Sequence, residues 1–327
     1  SGNGGTQSIS GLNFQPDFVW IKNRNGGHNH MLFDVVRGAG VDLMSNADSA
    51  QNSGGSNDLN SFDSNGFSLG SNNAVNQSGR TYVGWAWKAG GSASSNTDGS
   101  ITSSVSANNA YGFSICTYTG TEGGTFGHGL NSAPKFVIVK RLNAAASWCV
   151  WHTGIANTQY LMLDSTAGVN TFNVWGNTTP TSSVVTVSGD SYTGNNGDNY
   201  VAYCWSEVAG FSKFGSYTGS GASGNKITTG FKPKFLLIKA NANANWYLLD
   251  SNRGSAWLEA NATSTENSGS NIAISYEDDG FTPSGSNVNN SGTSYIYAAF
   301  ASKPDGSVVD SLVDSVTNYG DDTGLGG

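Results

Sequence analysis

Hydrophobic and polar positions alternate along this chain in short runs, and one run breaks the alternation. Pro134-Lys135-Phe136-Val137-Ile138-Val139-Lys140 holds four consecutive apolar residues closed by a lysine. The same pattern stands at Pro16-Asp17-Phe18-Val19-Trp20-Ile21-Lys22 and at Pro233-Lys234-Phe235-Leu236-Leu237-Ile238-Lys239. Four apolar residues in a row put apolar side chains on both faces of a strand, so each run predicts a strand covered on both sides. Proline suits the first position, where its missing N–H breaks no ladder bond. The closing lysine is expected to bury its stem and keep its ammonium in water. Three copies in register mean an internal repeat.

A second pattern keeps the same register. The aromatic run Thr81-Tyr82-Val83-Gly84-Trp85-Ala86-Trp87 has counterparts in Asn199-Tyr200-Val201-Ala202-Tyr203-Cys204-Trp205 and Ser294-Tyr295-Ile296-Tyr297-Ala298-Ala299-Phe300. From the proline to the first tyrosine is 66 residues in two copies (16 to 82, 134 to 200) and 62 in the third (233 to 295). Within the run, Tyr82, Gly84 and Ala86 make a small-residue face, opposite the bulky Val83, Trp85 and Trp87. The small face admits close approach of a facing sheet and the bulky face fills volume. Repeats two and three open with the strands Phe113 to Tyr118 and Phe211 to Tyr217; in register, repeat one starts only at Ser1-Gly2, where Thr119-Gly120 and Thr218-Gly219 stand. Repeat one is therefore expected to lack its opening strand, as in a piece cut from something longer. An unpaired sheet edge invites pairing, so upstream residues, a neighbouring subunit or the 90–110 insert are expected to fill the gap.

These patterns predict an all-β protein of three tandem homologous β-sandwich repeats, jelly-roll-like, each of about 95 residues with its own core. The divisions are 1–89 for the first repeat, 90–110 for a Gly/Ser/Asn linker, 111–207 and 208–304 for the second and third, and 305–327 for an acidic linker towards an absent domain. Ile101 and Val105 offer a short strand inside the first linker. No run carries a sustained helical period with caps, so only single helical turns are expected. Composition agrees: 45 of 327 residues are glycine, about twice the usual share, and 12% are charged, about half of it. A net charge of −8 without clustered lysine or arginine argues against nucleic acid, and no apolar run is long enough for a spanning helix. Cys116, Cys149 and Cys204 all lie in the middle repeat without C-x-x-C spacing, which predicts buried free thiols rather than disulfides or a metal site.

Several stretches carry a resemblance: Phe113 to Gly120, Gly127-His128-Gly129-Leu130, Ala133 to Arg141, Asn199 to Tyr217 and Thr317 to Gly327. Together they resemble a repeated β-rich domain of tail fibre and tail-associated proteins of tailed bacteriophages, marine cyanophages above all. The resemblance implies a virion component at the tail or fibre, with a role in host contact. Its implied partners are other virion proteins, a host cell-surface glycan and further copies of the chain, a trimer being favoured. It supplies no catalytic residue.

Candidate chemistry is sparse. Asp34 and Arg37 recur as Asp250 and Arg253, a carboxylate and a guanidinium able to bracket sugar hydroxyls or to fix a turn. Trp175 and Trp257 fall outside the repeated positions and are the tryptophans best suited to stack on a sugar. His128 reads as a turn or surface residue, and His28 with His30 lack a third metal ligand. The Asp190 to Asp198 loop does not match calcium-loop spacing. With no recurring glutamate and no nucleophile motif, the expectation is a non-enzymatic structural or adhesive protein without cofactor or metal. A lectin-like module and a glycan-degrading tailspike are the alternatives.

Overall fold

In a computed structural model, residues 1–301 and the backbone of Thr317–Tyr319 are described. Strands dominate; among the described residues the helices are two single turns, Asn73–Asn76 and Ser286–Asn289, and a 3-10 turn at Gly55–Asn57. The three proline-led runs form the strands Phe18–Asn23, Phe136–Arg141 and Pro233–Ala240. Each lies inside a sheet between an aromatic strand (Tyr82–Trp87, Asn199–Trp205 or Ser294–Ala301) and the next strand along the chain (Met31–Asp34, Cys149–His152 or Trp246–Asp250). The register is shared: Phe18 faces Trp87, Phe136 faces Trp205 and Phe235 faces Phe300.

Each large sheet is buried on both faces, as four consecutive apolar residues require. A smaller sheet covers the outer face: Gln7–Ser10 with Gly66–Leu69 and Leu59–Asp63 in the first segment, Gly123–Gly127 with Val184–Ser188 in the second, and Ile227–Thr228 with Gly280–Ser284 and Ala273–Glu277 in the third. In the second segment, Val137, Val139, Cys149, Ala202 and Cys204 point to that outer layer, while Phe136, Ile138, Val150, Tyr203 and Trp205 point the other way. The architecture is all-β with several sheets, packed as in a β-sandwich.

The inward faces do not close three separate cores. Phe18, Phe136 and Phe235, at most 3% exposed, belong to one cluster that draws on all three segments. Trp87 sits at its centre, with ring centroids 5.4 Å from Phe18, 6.3 Å from Trp205, 5.6 Å from Phe235 and 5.9 Å from Phe300. The expectation of a core in each repeat holds for the outer clusters of the second and third segments, which stay separate, and is corrected only where the inward faces merge in this shared centre. Aromatic rings on the inner faces are large enough to meet across the centre, and edge-to-face pairs at 4.5–7 Å are favourable.

The lysines that close the proline-led strands also depart from expectation. Lys22, Lys140 and Lys239 are wholly buried, because the period of two puts each on the same inward face as its phenylalanine. Lys22 Nζ donates to the carbonyls of Asn23 (2.7 Å), Gly26 (3.3 Å) and Thr263 (3.4 Å). Lys140 Nζ donates to Arg141 (2.8 Å) and Asp48 (3.1 Å), and Lys239 Nζ to Ala240 (2.9 Å), Ala242 (2.9 Å) and Thr166 (3.4 Å). Every ammonium thus bonds one carbonyl in another segment: first to third, second to first, third to second. Tryptophans repeat the theme, Trp148 Nε1 donating to Met44 O and Trp246 Nε1 to Met162 O. Burial pulls each of these lysines down to about 8.

Residues 90–110 are not a plain linker. Ser103–Asn108 pairs with Phe113–Thr119, and Ser94–Asn96 pairs with Ser103–Val105, extending the second sheet to eight strands. The 90–110 insert, one of the expected donors, does not fill the place of the first segment's opening strand. Thr317–Tyr319 of the same chain pairs with Tyr82–Trp87, placing Tyr319 opposite Tyr82 just as Tyr118 lies opposite Tyr200 and Tyr217 opposite Tyr295. The rest of 302–327 lies outside the described residues. Gly2, Gly120 and Gly219 confirm the register, since a Cβ on any of them would come within 2.2–2.3 Å of the carbonyl of Gln77, Asn195 or Asn290.

Candidate functional site

Asp34 ends the Met31–Asp34 strand, and its Oδ1 accepts the backbone N–H groups of Val36 (3.0 Å) and Arg37 (2.8 Å). Its Oδ2 takes the Arg37 Nε–H and, at 2.7 Å, the hydroxyl of Tyr203 from the second segment. Arg37 also donates to Leu32 O at 3.2 Å. The Asp34 carboxylate raises the basicity of Arg37 further, against the opposing effect of burial. Asp250 and Arg253 repeat the turn, with Arg253 reaching Leu248 O (3.3 Å), Glu266 Oε2 (2.7 Å) and the face of Trp85 in the first segment, 5.4 Å from its centroid.

The second segment solves the same junction without charge. His152 Nδ1 accepts from Gly154 N at 2.9 Å, which leaves Nε2 protonated to donate to Tyr297 O of the third segment at 3.0 Å. Burial holds that imidazole neutral, down to about 4. All three devices join one segment to the next. Arg37 and Asp34 side chains are 3% and 0% exposed, and those of Arg253 and Asp250 0% and 1%. The pairs fix turns and join segments, the second of the two readings the sequence offered; Arg37 alone of the four also lines the groove described below.

Trp175 and Trp257 are likewise buried, in the outer cores of the second and third segments. Their lack of a repeated counterpart reflects loops that differ between segments, not exposure. His128 is buried too, its Nδ1 accepting from Leu130 N at 3.1 Å while the other ring nitrogen lies 3.2 Å from Thr181 O. Trp20 Nε1 donates to the buried His30 at 2.9 Å. Cys116, Cys149 and Cys204 are free and buried. Among the described residues no three histidine, cysteine or carboxylate side chains gather as a metal site. Asp42 and Asp58 form a carboxylate pair in the first segment, both wholly buried. Burial first, and then the nearby Asp58 charge, push Asp42 up to about 6.

The feature that sequence reasoning missed is an open groove of about 520 Å³ where the first segment, the 94–108 hairpin and the second segment meet. Val36, Arg37 and Gln51 form one wall, Ser95 and Thr102–Ser104 a second, and Thr117–Thr119, Leu142, Asn143, Asn199 and Tyr200 the floor and third wall. Gln51, Ser95, Thr102, Ser104, Asn143 and Asn199 are exposed. Rigid elements hold it: Gln51 N donates to Leu142 O at 3.0 Å across the junction, and Asn143 is pinned by Asp198 at 2.9 Å and Asn199 N at 3.1 Å. The side chains of Gln51, Ser95, Thr102, Ser104 and Thr117 make no hydrogen bond among the described residues. Arg37 Nε and Nη2 are taken by Asp34, Leu32 O and Tyr203, while its Nη1 is buried without a partner; the rest of the groove presents neutral hydroxyls and amides beside Val36 and Leu142. Such walls suit a polyhydroxylated ligand. The only signal in the sequence was spacing: 36 residues from Tyr82 to Tyr118 against 17 from Tyr200 to Tyr217.

No curated protein and no solved structure matches this chain. A family model does, over residues 1–304, which takes in every strand described above except Thr317–Tyr319. The chain belongs to the family described as Domain of unknown function (DUF7483).

Proposed function

We propose that this chain is a non-enzymatic structural and adhesive segment of a phage virion, at the tail or fibre, built of three homologous two-layered β units closed around one core. The groove beside Gln51 and Thr117 is where a host-surface glycan rests. The observation that carries this reading is the groove's chemistry: a rigid open surface of about 520 Å³ lined by neutral hydroxyl and amide groups, with hydrogen-bonding capacity the fold leaves unused. Sugar recognition needs such groups, together with apolar patches like Val36 and Leu142 for the C–H faces. The sequence resemblance supplies the virion setting.

A glycan array tests the binding half, with the intact chain beside a Ser104→Arg variant that fills the groove from an exposed position. Binding that Ser104→Arg abolishes supports the groove; binding that survives it moves the site elsewhere, and silence of the intact chain removes the glycan reading. Gold-labelled antibody on intact virions tests the setting, and labelling confined to a site other than tail or fibre would remove it. Release of new reducing ends from host polysaccharide would favour the glycan-degrading alternative over both.

A further inference from the structure

The three junctions between segments bring equivalent residues together. Glu266 N donates to Arg24 O at 2.7 Å, Gln51 N to Leu142 O at 3.0 Å and Val169 N to Asn241 O at 2.8 Å, in each case to the residue two places beyond a buried lysine. Glu266, Gln51 and Val169 therefore hold one position in the fold. Arg253, Arg37 and Ile155 hold another, three residues after Asp250, Asp34 and His152. At the third–first junction the Glu266 carboxylate accepts from Arg253 Nη1 (2.7 Å) and from Arg24 Nε (3.0 Å) and Nη2 (2.8 Å). At the second–third junction Ile155 replaces the arginine, so no donor there needs an acid. The first–second junction keeps the arginine and loses the acid. Arg37 Nη1 is buried without a partner among the described residues, in a side chain 3% exposed. Gln51, in the place of Glu266, is exposed and its side chain makes no hydrogen bond. Arg37, Gln51 and Leu142 all line the open groove.

We propose that the groove takes a carboxylate-bearing sugar, a uronic or sialic acid residue, whose carboxylate fills at Arg37 Nη1 the place that Glu266 fills at Arg253. The proposal rests on the reading of the groove as a glycan site and adds the class of glycan it takes. Arg253 demonstrates that one guanidinium in this setting serves two carboxylates, Asp250 through Nε and Glu266 through Nη1. Arg37 uses Nε for Asp34 and has the second place open. A buried donor without an acceptor costs free energy, and an ionised acceptor makes about the strongest hydrogen bond a guanidinium can form. Displacing the Gln51 side chain breaks no hydrogen bond. The hydroxyls of Ser95, Ser104 and Thr117 remain for the ring hydroxyls of the same sugar. A neutral sugar leaves Nη1 unmet, so the site selects acidic glycans over neutral ones.

The experiment prints hexuronate and sialate oligosaccharides beside the same glycans with each carboxyl reduced to an alcohol, and probes both sets with the full chain. The expected result is binding of an acidic member about tenfold or more tighter than its reduced partner. Gln51→Glu, which supplies the acid from within the chain, should bring that ratio to about one. It should also raise the urea midpoint at pH 7, because the introduced carboxylate meets Arg37. Equal binding of acidic and reduced members, lost in Ser104→Arg, would keep the groove as a glycan site and overturn the carboxylate inference. A ratio that survives Gln51→Glu, or a urea midpoint that fails to rise, would also overturn it, by leaving Arg37 Nη1 out of the contact. Silence across the whole array removes the glycan reading and this inference with it.

Discussion

Replacing Trp87 by alanine tests the shared centre most directly. The indole is 3% exposed and touches aromatic rings from all three segments. Burying about 200 Å² of side chain at ~25 cal/mol per Å² contributes roughly 5 kcal/mol. Against this, Trp87 Nε1 is buried without a hydrogen-bond partner, and removing that unsatisfied donor returns about 1–2 kcal/mol. A net loss of about 3–4 kcal/mol is expected, inside the range for aromatic-to-alanine changes in cores. Urea unfolding followed by tryptophan fluorescence gives the size. Hydrogen exchange read peptide by peptide gives the distribution, which decides the question. A shared centre requires peptides from the Phe136–Arg141 and Pro233–Ala240 strands to lose protection together with those from Phe18–Asn23. Protection lost only in the first segment would show three independent units in contact, and the argument for one core would fail.

Three further outcomes follow from the buried charges. Lys22, Lys140 and Lys239 should resist an amine-acylating reagent in the native chain while Lys232, with 52% of its side chain exposed, reacts at once; rapid labelling of any of the three would place its ammonium in water. Because their folded values of about 8 lie below the ordinary 10.5, the unfolded chain binds more protons between pH 8 and 10.5, and stability should rise with pH across that window. A urea midpoint lower at pH 9.5 than at pH 7.5 would show instead that the carbonyl bonds hold the charged form. Asp42 runs the other way: its folded value of about 6 lies above the ordinary 3.8, so its contribution is complete below pH 3.8 and is lost as pH rises through 6. Asp42→Asn should flatten the urea midpoint between pH 4 and 7, and an unchanged slope would assign that dependence to another group.

Much of the fold was legible because burial leaves a period in the chain. Four apolar residues after each proline announced strands covered on both faces, and the matched proline-to-tyrosine spacing announced that both strands recur in one register. What the pattern could not say was what lies opposite an apolar face. Phe136 on an inward face looks the same whether it packs only on its own sheet partner Trp205 or also meets Phe214 of the third segment at a common centre. The lysines were misjudged although the signal was present, since Lys22 shares its face with Phe18 and Trp20 at a spacing of two. Trp175 and Trp257 misled for the opposite reason: a residue without a repeated counterpart was read as free, when variable loops also bury tryptophans. The groove had no residue signature, because serine, threonine and asparagine lining a pocket are indistinguishable in sequence from the same residues in any turn.

The three lysine grips have a consequence for how such a chain can change over time. Each ammonium takes hold of a main-chain oxygen, and the residues that supply it across the junctions are one aspartate, Asp48, and two threonines, Thr166 and Thr263. A carbonyl is present whatever residue carries it, so the gripped loops can drift in sequence, or be exchanged between relatives, without loosening the joint. The junction specifies the path of the backbone and leaves the outward-facing side chains free. Surface loops can therefore diversify under selection by a changing partner while the lysines stay where they are.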